Sequence, residues 1–100
     1  MRNVVIYDGG KATGKTVTSG GTTANTAIPN DSNGTVARAV LLTSTGTVHV
    51  KAGIDNSVTA TADDLMIGTT PVAVMTRGMA YLAYIQESTA AKLNIAPLEY

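Results

Sequence analysis

Cysteine is absent from the 100 residues, which excludes disulfides, thiolate metal sites and thiol nucleophiles and leaves the redox compartment open. Phenylalanine and tryptophan are absent too, and the 4% aromatic share is all Tyr. Without large rings the core has to be built from Val, Ile, Leu and Met, and it will be thin. Oligomerisation is a common way for a thin core to reach stability, so a homo-oligomer is expected. Charge of either sign is sparse, with seven basic and seven acidic residues in balance. No basic stripe follows a phosphate backbone, so no nucleic-acid partner is expected. No stretch approaches the roughly 18 apolar residues of a membrane helix. The opening run Met1-Arg2-Asn3-Val4-Val5-Ile6-Tyr7-Asp8 is too short in apolar residues for a secretory signal. The expectation is a soluble chain, made in the cytoplasm, with no membrane partner.

What is present fits a single domain, residues 1–100. A chain of this length buries roughly 65% of its unfolded surface on folding. The 44% hydrophobic share overstates the core, because fourteen of those residues are Ala.

Composition changes sharply along the chain. Residues 8–35 hold only Val17 and Ile28 as large apolar side chains, among many Gly, Thr, Ser and Asn. Three readings are open for this segment: a disordered loop, a strand pair with small side chains, or an arm ordered by a neighbouring subunit. An extended loop or arm is the expectation, with the main β core over 36–96, and deleting residues 10–34 should then leave a folded domain.

The remainder reads as β. Val36, Arg38, Val40 and Leu42 alternate with Ala37, Ala39, Leu41 and Thr43. Val48 and Val50 face one way while His49 and Lys51 face the other, the two-residue period of a half-buried strand. Ser44-Thr45-Gly46 suggests a hairpin bend between these two strands. Pro71 opens Val72-Ala73-Val74-Met75, Arg77-Gly78 closes it, and Ala80 to Gln86 follows with Tyr81, Ala83 and Ile85 opposite Leu82 and Tyr84. Leu93 and Ile95 share a face before Pro97. Turn signals about every ten residues suit an all-β sandwich or barrel. The expected fold is a β-sandwich, with a jelly roll as one form that it can take. Helix is poorly supported, since β-branched Thr and Val dominate; the best candidate is one or two turns over 60–67.

One motif demands a decision. Gly9-Gly10-Lys11-Ala12-Thr13-Gly14-Lys15-Thr16 matches the phosphate-binding pattern G-x-x-x-x-G-K-[ST]. In that pattern, backbone N–H groups cradle phosphates, Lys15 would reach the terminal phosphates and Thr16 would hold Mg²⁺. The loop works by aiming a helix N-terminus at the phosphates, yet Thr16 is followed by Val17-Thr18-Ser19-Gly20-Gly21, a poor helix sequence. Gly9, Gly14, Lys15 and Thr16 are therefore read as a chance match, with no cofactor.

The other candidates are weaker. His49, the only histidine, has no second His or Cys and is expected on the solvent face, where its replacement by Ala would be nearly silent. Asp63-Asp64 lacks a third carboxylate for a cation and is read as leading into Leu65-Met66-Ile67, so no metal is expected. Asn30-Asp31-Ser32-Asn33-Gly34 reads as a turn. Ser44, Ser57 and Ser88 carry no nucleophile-elbow motif. Tyr81 and Tyr84 fall on opposite strand faces and cannot form one stacking platform, and Tyr100 stands apart. No catalytic residue is assigned.

Residues 36–96 resemble small structural proteins of tailed bacteriophages. The resemblance is carried by Val48-His49-Val50-Lys51-Ala52-Gly53, Ala60-Thr61-Ala62-Asp63-Asp64-Leu65-Met66-Ile67, Pro71-Val72-Ala73-Val74, the Arg77-Gly78 turn, Tyr81-Leu82-Ala83-Tyr84-Ile85-Gln86 and Ala91-Lys92-Leu93-Asn94-Ile95. It implies a non-enzymatic capsid decoration or cement protein, located in the virion after assembly in the host bacterial cytoplasm. Its partners would be the major capsid protein or other virion proteins. The resemblance does not cover 8–35, which is similar to the extended arms of decoration proteins. A neck, tail or fibre component is the alternative in the same class. Nucleotide binding at 9–16 and a carbohydrate-binding module are the alternatives from other classes.

Overall fold

Short runs of β-branched and small residues, punctuated by Gly, Pro and Asn, favour many brief strands over helices. The computed structural model describes residues 13–98, and among these there is no helix. The strand-like run Asn3 to Tyr7, Gly9 and Tyr100 lie outside the described residues.

Among the described residues, eight strands make up the regular structure: β1 Lys15–Thr18, β2 Ala24–Ala27, β3 Ala39–Ser44, β4 Val48–Gly53, β5 Leu65–Ile67, β6 Val72–Met75, β7 Tyr81–Gln86 and β8 Lys92–Leu98. They form two four-stranded sheets, in the orders β1-β8-β3-β6 and β2-β7-β4-β5. Every pairing is antiparallel. The residues expected as a helix over 60–67 instead make a turn and then β5.

The hairpin expected between 36–43 and 48–51 is not formed, because β3 and β4 belong to different sheets. Ser44 and Thr45 turn their N–H groups to Gly68 O and Lys92 O, so the bend carries the chain from one layer to the other. A Gly at a bend permits such a crossing as readily as a hairpin.

One core lies between the layers. Val40 and Leu42 of β3 and Leu93 and Ile95 of β8 meet Val48 and Val50 of β4, Ile67 of β5, and Leu82 and Tyr84 of β7. All are buried, and full burial of each aliphatic side chain contributes about 1.5–3 kcal/mol. Val72 and Val74 on the edge strand β6 are half-buried against this core. The Cα radius of gyration is 12.8 Å, which matches the roughly 13 Å of a compact 100-residue domain, so a core poor in aromatics is still fully collapsed.

Of the three readings open for 8–35, the described part, residues 13–35, gives a variant of the strand pair. Lys15–Thr18 pairs with β8 and Ala24–Ala27 with β7, so the two strands edge different sheets of their own chain rather than extending as an arm. Counting large apolar residues misjudged this segment, because ladder hydrogen bonds and polar clasps do much of the ordering. Ser19 N donates to Ala91 O at 2.8 Å, and Ser19 Oγ accepts from Ala91 N at 2.9 Å. Val17 packs on the core and Ile28 is part of it. The turn at 30–34 forms as expected, with the Asp31 carboxylate accepting from Asn33 N and Thr35 N and Gly34 at φ 81°.

Among the described residues, the Arg77-Gly78 turn is the one with two successive positive φ angles. Both residues have positive φ, 47° and 85°, and Met79 N closes the turn on Thr76 O at 2.8 Å. Thr76 anchors it from inside, fully buried with Oγ1 donating to Ala37 O at 2.8 Å.

Two stability outcomes follow from this architecture. Deletion of residues 10–34 is expected to unfold the chain, since it removes an edge from each sheet; retained cooperative melting of that deletion would contradict it. Ile95→Ala should cost about 2–5 kcal/mol in urea denaturation, and Val74→Ala should cost less because Val74 is only half-buried.

Candidate functional site

The phosphate-loop pattern can be judged from where its residues lie. Gly9 is outside the described residues. Gly14 runs alongside β8, where an added Cβ would fall 2.9 Å from Ile95 O, so this glycine serves close strand approach. Lys15 and Thr16 open a β-strand whose backbone is committed to β8. The Lys15 ammonium donates to Thr26 Oγ1 at 3.0 Å and to Ala27 O at 3.1 Å, which ties β1 to β2 across the open side of the two layers. Thr16 Oγ1 accepts from Asn94 Nδ2 at 3.2 Å. Among the described residues no helix N-terminus stands behind Lys15 and Thr16, and that is the element that phosphate binding by such a loop requires.

His49 departs from expectation. Its strand alternates as anticipated, with Val48 and Val50 inward, yet His49 on the opposite face is only 1% exposed. The reason is the long β4–β5 connection, residues 54–64, which folds back over the outer face of the second sheet. Gly53 lets it do so: an added Cβ there would lie 2.5 Å from Val58 Cβ. Farther along, Ala60 N donates to Thr23 Oγ1 at 2.8 Å and Asn25 Nδ2 donates to Asn56 O at 2.8 Å. The connection therefore crosses β7 to reach β2, and Ala83 beneath it is wholly buried although it faces away from the core.

The connection returns beside His49. Nδ1 lies 3.0 Å from Asp64 O and Nε2 lies 2.5 Å from Glu87 Oε1. A carbonyl oxygen only accepts, so Nδ1 carries a hydrogen and donates to it. The hydrogen bond to Glu87, then that to Asp64 O, raise the His49 pKa above its ordinary 6.5 and outweigh the opposing effect of burial. Glu87 itself is 44% exposed at the side chain. The arrangement joins a histidine to a carboxylate, but among the described residues no serine or other nucleophile is seen to complete a relay. Ser44 is buried with its Oγ accepting from Gly46 N, and Ser57 Oγ donates to Asp55.

The remaining candidates resolve as local structure. Asp64 turns its carboxylate onto Thr61 N at 2.7 Å, fixing the turn that leads into β5. Among the described residues, no three His, Asp or Glu side chains gather where a cation would sit. Tyr84 packs into the core and Tyr81 on the other face is half-buried. Thr18, Thr45, Ala90, Ala91 and Lys92 line an open cleft of about 360 Å³, with little polar chemistry converging on it.

Two sites missed by sequence reasoning are Ser19 and Thr76. Both are buried hydroxyls that satisfy main-chain groups of distant segments, and single Ser or Thr residues in a Thr-rich chain give no signal of this.

Nucleotide at millimolar concentration is expected to leave the melting temperature unchanged; a rise that disappears in Lys15→Ala would contradict this. His49→Ala should cost about 1–3 kcal/mol in urea denaturation, the usual penalty for stranding buried hydrogen-bond partners, rather than being silent. Against known proteins, the chain matches no family model, no curated protein and no solved structure.

Proposed function

We propose that the chain is a jelly roll acting as a non-enzymatic structural protein of a virion, a capsid decoration or cement protein held on the shell of a tailed-phage head. The observation that carries the reading is the strand order. β1 pairs with β8, β2 with β7, β3 with β6 and β4 with β5, so each pair of numbers sums to nine. This is the pattern of one long hairpin wrapped around itself, in which alternate hairpin pairs fall on alternate sheets. The double-sheet jelly roll of eight strands recurs in viral capsid and lectin domains. Fold alone does not imply function, and the virion class is drawn from the resemblance of residues 36–96 to phage structural proteins.

The surface supports the same reading. β5 and β6 edge the two sheets on the same side, carry no charged residue, and expose Leu65, Met66 and Met75. Natural edge strands usually carry charge, proline or bulges that block pairing. An apolar, uncharged pair of edges suits docking on a shell protein by strand addition, where main-chain hydrogen bonds supply affinity without large side chains. The opposite edges, Lys15–Thr18 and Ala24–Ala27, are polar and clasped to each other by Lys15. Among the described residues no aromatic platform supports the sugar-binding alternative, since Tyr84 is in the core.

Mass spectrometry of purified virions from the phage that encodes this chain should find it in many copies per particle, and its absence would overturn the reading. The double variant Met66→Lys, Met75→Lys should melt close to wild type because both side chains are exposed, while its incorporation into particles falls. Wild-type incorporation of that variant would move docking away from this edge.

A further inference from the structure

His49 stands where two covering segments meet, and both of its ring neighbours are acceptors. Asp64 offers a carbonyl oxygen to Nδ1 and Glu87 a carboxylate oxygen to Nε2. A neutral imidazole has a single N–H, so it can serve one of these neighbours and must turn a lone pair towards the other. The imidazolium, with two N–H groups, serves both. We propose that His49 is a proton-operated latch joining the 54–64 connection to Glu87 over the outer face of the second sheet, closed by the imidazolium and open at one arm in the neutral ring. The latch does not rest on the virion reading.

Charge around the ring is limited. β4 contributes Lys51, which is exposed, and neither β5 nor β7 carries a charged residue. The 54–64 connection contributes Asp55, Asp63 and Asp64. Asp55 is engaged by Ser57, the Asp64 carboxylate by Thr61 N, and Asp63 is exposed. Glu87 is thus the carboxylate in contact with the ring, and Asp64 acts through its carbonyl and, more weakly, its charge.

The far end of the connection is pinned by uncharged bonds to Thr23 and Asn25, which do not titrate. Opening is therefore confined to the end near Asp64 and to the segment that begins at Glu87. Because the folded-state pKa of His49 is raised, the stabilisation is complete below the ordinary value of 6.5 and is lost as pH rises through the raised value.

The chain has one histidine, so its imidazole NMR signals can be followed through the titration without ambiguity. Amide exchange at residues 61–64 and 87–91, corrected for its intrinsic pH dependence, should lose protection roughly tenfold in one of the two segments in step with that titration, the size of one charge-assisted hydrogen bond. Glu87→Gln, at an exposed position, should fold normally and move the ring titration to lower pH. His49→Gln should abolish the step in protection. Protection that stays flat through the titration, a step that persists in His49→Gln, or an unmoved titration in Glu87→Gln would each overturn the latch.

Discussion

The pairing of β3 with β8 is the constraint on which the other elements depend. It runs through six residue pairs, from Ala39 opposite Leu98 to Ser44 opposite Leu93, and it joins the middle of the chain to its far end. Once it forms, β1 has an edge on which to add and β6 has the other edge of β3. β4 with β7 repeats the arrangement in the second sheet, from Val48 opposite Gln86 to Gly53 opposite Tyr81. These four central strands supply Val40, Leu42, Val48, Val50, Leu82, Tyr84, Leu93 and Ile95, the greater part of the core. Non-local pairings of this kind delay folding, because loop entropy is lost before the contacts that offset it are made.

A core without Phe or Trp leaves little surplus, and the polar groups show how the structure compensates. The edge strands β1 and β2 bring few large side chains, and hydroxyls and one ammonium hold them. Ser19 exchanges hydrogen bonds with Ala91, Thr23 accepts from Ala60, and Lys15 spans from β1 to β2. Among the described residues no buried side-chain polar atom lacks a partner. That matters more in a thin core than in a thick one, because an unsatisfied buried group costs about 1–3 kcal/mol and there is less apolar burial to offset it. The abundance of Thr thus has two consequences: β-branching favours strands, and hydroxyls within reach of main-chain groups fasten the edges.

Strand positions within 48–51, 72–75, 81–86 and 93–95 were legible because a half-buried strand writes its facing into alternate residues. Sheet membership was not. Alternation in 36–43 and 48–51 is the same whether the strands pair with each other or with β8 and β7, and the intervening Ser44-Thr45-Gly46 bends either way. The edge strands were illegible for a different reason: Lys15–Thr18 and Ala24–Ala27 have little apolar periodicity, and their order comes from partners far along the chain. For the candidate site, the non-helical context of Lys15 and Thr16 was readable from Val17-Thr18-Ser19-Gly20-Gly21. His49 was half readable. Its facing away from Val48 and Val50 was in the pattern, but its burial was not, because alternation reports which face a residue takes and says nothing about what covers that face.

That distinction between facing and covering explains why a histidine sits where the sequence suggests a solvated side chain. A loop crossing the outer face of a sheet has main-chain carbonyls that need donors, and a strand residue pointing up at it is well placed to supply one. Aliphatic side chains at position 49 would bury apolar area but leave Asp64 O without its partner, and Lys would bring a charge on a long flexible stem. Imidazole is short, planar and double-ended. One nitrogen meets the loop, and the other meets Glu87 at the rim, where the carboxylate stays partly in water. The charge is therefore not fully desolvated, which avoids much of the penalty of a buried ion pair. The same geometry makes the contact depend on protonation: a neutral ring has one donor for two acceptors. The position of His49 under the loop and the sensitivity of that loop to a proton have one physical origin.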